Sequence, residues 1–507
     1  MQKPPVWKPS PIFAALTVLA AAGMACTFLT PTPVAWSLTA TPGAPAPAVP
    51  TAPAQASRLP TLPAPTPVTP APGSSAPSPT PVQPGPWLVY SRDGGQPAAY
   101  DSTSGASTRV TSSAPARFAG DLSSGVSPAG GWLAFRSGQQ DLADLALDLV
   151  GFPGGEVRAH LPLLSASVLK KLQAAGSGAL PDAVAALAQP DGLSWSPDGR
   201  YLAYVGASDG PSSDLYLFDM ATQKTRRLTD GLNQVAHQTW SPDGLWVIFQ
   251  EVVSFSAPPG WKLGPVWAAA TDHNELRKLY VPPANSTGEG FLGWSAPDML
   301  VVYTQAADGL HDLRAIPISA RFVDRLYGGP LDHAALDPAS QTIAFTETDL
   351  TGAQLGLAPG IYRLPGLKGS PQFVQAGEWS SLAYAPRIGR FTAAGEQGLL
   401  LFSPQGDSLL LKGEAGASAS PDGHWVACWG DRAHPGLRLY QPDGLLLQEV
   451  TAEPVSQVLW QPDSQAFYYV AVGKLFRVGF PQVQPALLDQ GVDSGSLGWL
   501  ARPAKGG

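Results

Sequence analysis

From Trp87 onward, short apolar runs alternate with tight polar turns. Tyr201–Val205 reads YLAYV, a bulky run of strand type, and a shorter run, Leu193–Trp195, precedes it. Between them stands Ser196-Pro197-Asp198-Gly199. Pro197 presets φ for the second position of a β-turn, Asp198 suits the third, and Gly199 closes the turn. DLYLFDM and TRRLTD follow as two more short strands. Four antiparallel strands in about 45 residues make one small sheet.

The pattern repeats. WSPDGLWVIF begins at Trp240, and Ser420–Gly423 carries a third copy of the turn. Weaker copies are Ser127-Pro128-Ala129-Gly130, Asp337-Pro338-Ala339-Ser340 and Gln461-Pro462-Asp463-Ser464. The second strands align at Trp87–Tyr90, Trp132–Phe135, Tyr201–Tyr204, Trp246–Phe249, Leu300–Tyr303, Thr342–Phe345, Phe391–Ala393, Trp425–Cys428 and Ala466–Tyr469. The first unit lacks an inner strand of its own, and a matching orphan stands at the other end, Ser496–Leu500. A last strand that completes the first sheet closes a ring and removes exposed sheet edges. The expected fold is all-β: a single closed β-propeller of eight or nine four-stranded blades over residues 87–501, with 502–507 as a tail.

WSPDG, followed by an aromatic-aliphatic strand, DLYLFD and RRLTDG, resembles the WD-like repeat of the TolB family. The propellers of prolyl-oligopeptidase-type enzymes use the same repeat. The resemblance spans about residues 87–501 and implies the fold. It implies no particular partner, because TolB itself has fewer blades and an extra N-terminal domain.

The first 86 residues read differently. Lys3 and Lys8 precede an apolar stretch from Pro11 to Ala25, and Cys26 follows. Residues 1–25 look like a signal peptide. Cys26 resembles the lipobox cysteine of bacterial lipoproteins, which implies lipidation there. Ordinary cleavage after Ala25 and an uncleaved anchor over Pro11–Leu29 stay open. Residues 31–86 hold 18 of the 54 prolines, and Arg58 is their only charged residue. Such a Pro/Thr/Ala-rich linker, spanning 26–86, is expected to be disordered and to lean to polyproline II, reaching on the order of 170 Å when extended. The expected location is extracytoplasmic, on a membrane held by lipid, with an envelope protein or glycan as partner.

Charge and chemistry narrow the function. Net charge is −8 and no basic block occurs, so nucleic acid is not expected as a partner. With Cys26 lipidated, Cys428 would be alone in its strand and would serve as a small buried apolar residue. Strand parity puts all SPDG turns on one face of the ring. The longer segments Gln250–Gly264, Glu347–Pro359, Gly430–Gly436 and the partly helical Pro162–Pro190 fall on the other. In that helical stretch, Ser165 would cap one helix and Pro181 would open a second. Insertions gathered on one face mark the binding face of a repeat protein. Its candidate binding residues are Trp261, Lys262, Glu347, Asp349, Asp431, Arg432 and His434. His237, Asp332 and His333 precede inner strands and point toward the axis.

No H-E-x-x-H pair or calcium loop occurs, and the chain ends just after ring closure. The expectation is a non-catalytic scaffold with no cofactor and no metal. The alternative is a glycosidase or lyase with an acidic site at the channel mouth. Acidic, His or Arg groups clustered at that mouth would favour an enzyme.

Overall fold

A computed structural model describes residues 84–503, apart from 112–113, 139–143, 165, 175–178, 209, 211, 256–260, 320–321 and 349–356. Cys26, the signal segment, the linker up to residue 83, the predicted helix cap Ser165, Asp349 and the last four residues lie outside the described residues.

Nine antiparallel sheets follow one another along the chain, eight of them four-stranded. The nine blades settle the count left open by the sequence. In the third blade, strands Leu193–Trp195, Tyr201–Gly206, Asp214–Asp219 and Lys224–Arg227 run from the axis outward. The ring closes where the last strand, Gly498–Leu500, pairs with Trp87–Arg92, placing Trp87 opposite Leu500 and Val89 opposite Gly498.

The turn that marks the repeat owes its form to side-chain chemistry. Ser196 Oγ donates to Asp198 Oδ1 at 2.6 Å and accepts from the Tyr201 N–H at 2.9 Å. Asp198 Oδ1 also accepts from the Arg200 N–H. Gly199 takes φ 71°, which a Cβ would disfavour. The Ser-Asp bond and the glycine's left-handed φ recur at Ser241–Gly244 and Ser420–Gly423.

Second strands carry the core. Leu88, Phe135, Leu202, Phe345, Phe391 and Phe467 are fully buried between blades. Each such side chain contributes about 1.5–3 kcal/mol by leaving water.

Blade 2 departs from four strands. Its sheet has three, Trp132–Ser137, Ala146–Gly151 and Glu156–Pro162. Helix α1 (Ala119–Ser124) and a single bridge between Val126 and Leu133 stand at the inner position. Asp121 on α1 accepts the Arg136 backbone N–H at 2.9 Å, satisfying a ladder donor that an inner strand would otherwise serve.

Between blades 2 and 3 come helices α2 (Ala166–Ala174) and α3 (Ala179–Leu187), as the sequence predicts, although α3 starts before Pro181. Val168 and Leu187 are buried against the ring. Arg136 holds the end of α3: Nη1 donates to the carbonyls of Leu187 at 2.6 Å and Gln189 at 2.8 Å. The guanidinium also pairs with Asp121, both side chains only 2% exposed. Among the described residues, no helix is long and apolar enough to cross a membrane.

Candidate functional site at the channel mouth

Strand direction places the insertions of blades 2 to 4 at one end of the ring, and there they meet. Asp182 of α3 accepts hydrogen bonds from Ser254 Oγ at 3.1 Å and from the Phe255 N–H at 2.7 Å. This ties the helical insertion to the loop after strand Trp246–Ser254. Phe255 then packs edge-on against Trp261, with ring centroids 4.7 Å apart. The Trp261 N–H donates to the Thr287 carbonyl of the next blade.

Trp261 lies nearly parallel to His237, centroids 5.1 Å apart and ring planes 21° apart. Phe291 approaches the same imidazole edge-on at 6.4 Å. His237 Nδ1 is 2.8 Å from Asp191 Oδ2, in the link that leads from α3 into blade 3. Asp191 thereby sets the imidazole's orientation and favours the proton on Nδ1.

Backbone geometry aims this histidine. The inner strand Gln234–Trp240 slips register between Ala236 and Thr239, so His237 and Gln238 together oppose Phe249. That is a β-bulge, which redirects a side chain. His237 has φ 50°. Seven other non-glycine residues of the described chain have positive φ, and all lie outside strands; His237 alone takes it within one.

A second His–Asp contact occupies the inner strand Leu331–Asp337, where His333 Nε2 lies 3.3 Å from Asp332 Oδ2. His237, Asp332 and His333 thus lie within inner strands rather than ahead of them. A cleft between blades 3 and 4 is lined by Asp214, Asp230, Asn233, Glu251 and Trp267, among others. Its charges are internally matched: Arg227 pairs with Asp214 and Asp230, and Trp267 Nε1 donates to Glu251 at 2.7 Å.

The predicted binding residues do not form one cluster. Trp261 and the exposed Lys262 belong to blade 4, whereas Asp431, Arg432 and His434 form an exposed turn on blade 8. In that turn Asp431 Oδ1 accepts from the N–H groups of Ala433 and His434. Glu347 is corrected: it ends strand Thr342–Glu347, is 1% exposed, and accepts from the Tyr327 hydroxyl. Burial pushes its carboxyl above the usual range. Asp191, Phe255 and Phe291 went unrecognised in the sequence. A spacing rule cannot find them, because a bulge and an inter-blade loop bring them together.

Buried acids near this end sit in different blades. Glu289 and Glu414 occupy inner strands and Glu347 a second strand. Among the described residues, no three His, Cys, Asp or Glu side chains are grouped to hold a metal ion.

No family model matches the chain. Over 50 residues it is 42% identical to the "Uncharacterized peptidase YuxL" of Bacillus subtilis, a match that covers 10% of this chain and 8% of that protein. The chain therefore matches less than a tenth of that relative's length. Among solved structures, a eukaryotic initiation factor aligns with TM-score 0.54 and 11% identity, over 83% of this chain and 99% of the other. Porphyromonas gingivalis dipeptidyl peptidase 4 aligns with TM-score 0.47 and 12% identity, over 76% and 63%. TolB from Acinetobacter baumannii aligns with TM-score 0.30 and 16% identity, over 58% and 64%. The likeness to the initiation factor bears on the fold alone.

The expectation of a non-catalytic chain is corrected by the match to a protein named as a peptidase. That expectation rested on sequence motifs alone.

Proposed function

We propose that this chain is a TolB-like envelope propeller, tethered on the extracytoplasmic side through Cys26, that takes polypeptide substrate at its insertion-bearing face for peptidase-class chemistry. One observation carries the reading. Insertions from separate blades, α3 and the Phe255–Trp261 loop, are bonded together over the inner strand that presents His237. The sequence match to a protein named as a peptidase supports polypeptide as the substrate class.

Two measurements test it. Cys26→Ser should abolish fatty-acid labelling and release the protein from membranes. Unlabelled protein that stays on the membrane would instead require an uncleaved helix. For the face, capture and cleavage of unfolded polypeptide should fall in Trp261→Ala and when 347–359 is shortened. If both variants keep wild-type values while Asp198→Ala and Asp243→Ala, in the SPDG turns, lose them, the working face is the opposite one.

A further inference from the structure

We propose that His237 is a specific ligand contact, in which Nε2 accepts a hydrogen bond from a backbone N–H of an extended peptide while Trp261, Phe255 and Phe291 receive the adjoining apolar or aromatic side chain. The inference deepens the polypeptide reading above and rests on it.

Three independent features converge on this residue. The first is conformational: the left-handed φ of His237 inside a strand is a conformation that L residues take at a cost of order 1 kcal/mol or more. Register shifts recur in the inner strands of blades 5 to 9, but among the described non-glycine residues only His237 takes a positive φ within a strand. The second is the tautomer. Asp191 Oδ2 accepts from Nδ1, which leaves the lone pair of the neutral ring on Nε2. Among the described residues Nε2 has no hydrogen-bond partner, and the side chain is 20% exposed. The third is the wall of aromatic rings, with Trp261 stacked on the imidazole and Phe255 and Phe291 at edges.

This set selects among ligands. Beside the Asp191 carboxylate, which the imidazole engages through Oδ2, it offers the Nε2 acceptor next to three aromatic rings. A peptide segment supplies one donor N–H next to a side chain that fills aromatic surroundings. A sugar would bring several hydroxyls to walls that cannot pair with them, and unpaired polar groups are costly to desolvate. Asp191 acts through the imidazole and is a positioning residue.

The test uses the full chain and capped hexapeptides of an alanine host with one variable position. Phenylalanine, tryptophan or leucine there should bind more tightly than lysine. Replacing the amide N–H at that position by an ester oxygen should weaken wild-type binding about tenfold, the scale of one lost hydrogen bond. In His237→Gly, amide and ester should bind equally weakly, so that the two changes are not additive. Glycine adopts positive φ freely, so this variant should unfold no earlier on heating than the wild type, which separates ligand contact from structural support. Equal binding of amide and ester to the wild type overturns the proposal, as does unchanged affinity in His237→Gly. Trp261-dependent binding of chitooligosaccharide, with no peptide bound, overturns it too. Polypeptide capture or cleavage that survives both His237→Gly and Trp261→Ala leaves the broader function standing and removes this site.

Discussion

The indole Nε1 of Trp240 donates to the carbonyl oxygen of Ser194, 3.1 Å away in the inner strand of the preceding blade. Trp195 reaches Gly125 in the same way, and Trp460 reaches Ser418. The tryptophan before each of these turns therefore staples its own blade to the one behind it. Trp294 occupies the corresponding place in blade 5, but its buried Nε1 has no acceptor. We expect Trp240→Phe to lower unfolding stability by about 1 kcal/mol beyond its lost apolar area. Trp294→Phe should cost less, since it removes an unsatisfied donor. Urea unfolding of the two variants side by side checks the difference.

Glu289 gives stability a pH dependence. Burial pushes its carboxyl up to about 8, against a hydrogen bond from Thr304 that favours the charged form. Tyr280, Arg314 and Asp312 are the other titratable groups around it. The folded state holds this proton up to about pH 8, whereas the unfolded chain releases it near 4.5. Its contribution is thus complete below pH 4.5, falls as pH rises, and is gone above 8, a span on the order of several kcal/mol. Glu289→Gln should flatten this slope and raise stability at pH 8. Denaturant midpoints measured from pH 5 to 9 would show the slope unchanged if Glu289 is not its source.

Arg136 and Asp121 form a buried pair that also anchors α3. Arg136→Met leaves a carboxylate buried without its cation, and we expect a loss of about 3–5 kcal/mol. Adding Asp121→Leu should recover part of it, because the orphan charge is gone. Hydrogen exchange over residues 179–187 should rise in the single variant, since the carbonyls of Leu187 and Gln189 lose their clamp.

Cys428 is fully buried, and burial pushes its thiol well above the usual range. Alkylating reagents at pH 8 should leave it unlabelled in the folded protein and label it in denaturant. Rapid labelling under native conditions would show that blade 8 opens locally.

Much of the fold was legible because one turn repeats its chemistry. Ser-Pro-Asp-Gly satisfies itself within a few residues, so neighbours in sequence suffice to recognise it. One decayed copy keeps the shape: Ser464 takes the positive φ that glycine has elsewhere. The orphan strand at the C-terminus found its partner as read, with Gly498–Leu500 the paired part. Blade 2 was less legible, because α1 supplies the inner position through a side chain, Asp121, instead of a strand. At the candidate site, Trp261 drew attention because it falls in a long insertion between strands. Its partners were not, since His237 is turned by a bulge and Asp191 arrives from a different blade. Glu347 was read as a loop residue because its strand ends one residue later than the apolar run suggests.

Ring closure also determines how the molecule bears load. The chain enters at Pro84, where Arg502 Nε donates to the carbonyl oxygens of Pro84 and Gly85. It then passes directly into Trp87–Arg92, which is laddered on one side to Gln96–Asp101 and on the other to Gly498–Leu500. Tension applied ahead of Pro84 runs along that strand, so the ladders on both flanks are sheared together rather than parted one bond at a time. The seam that joins the two ends of the ring is also the place where a pull from the N-terminal side is resisted by two ladders at once.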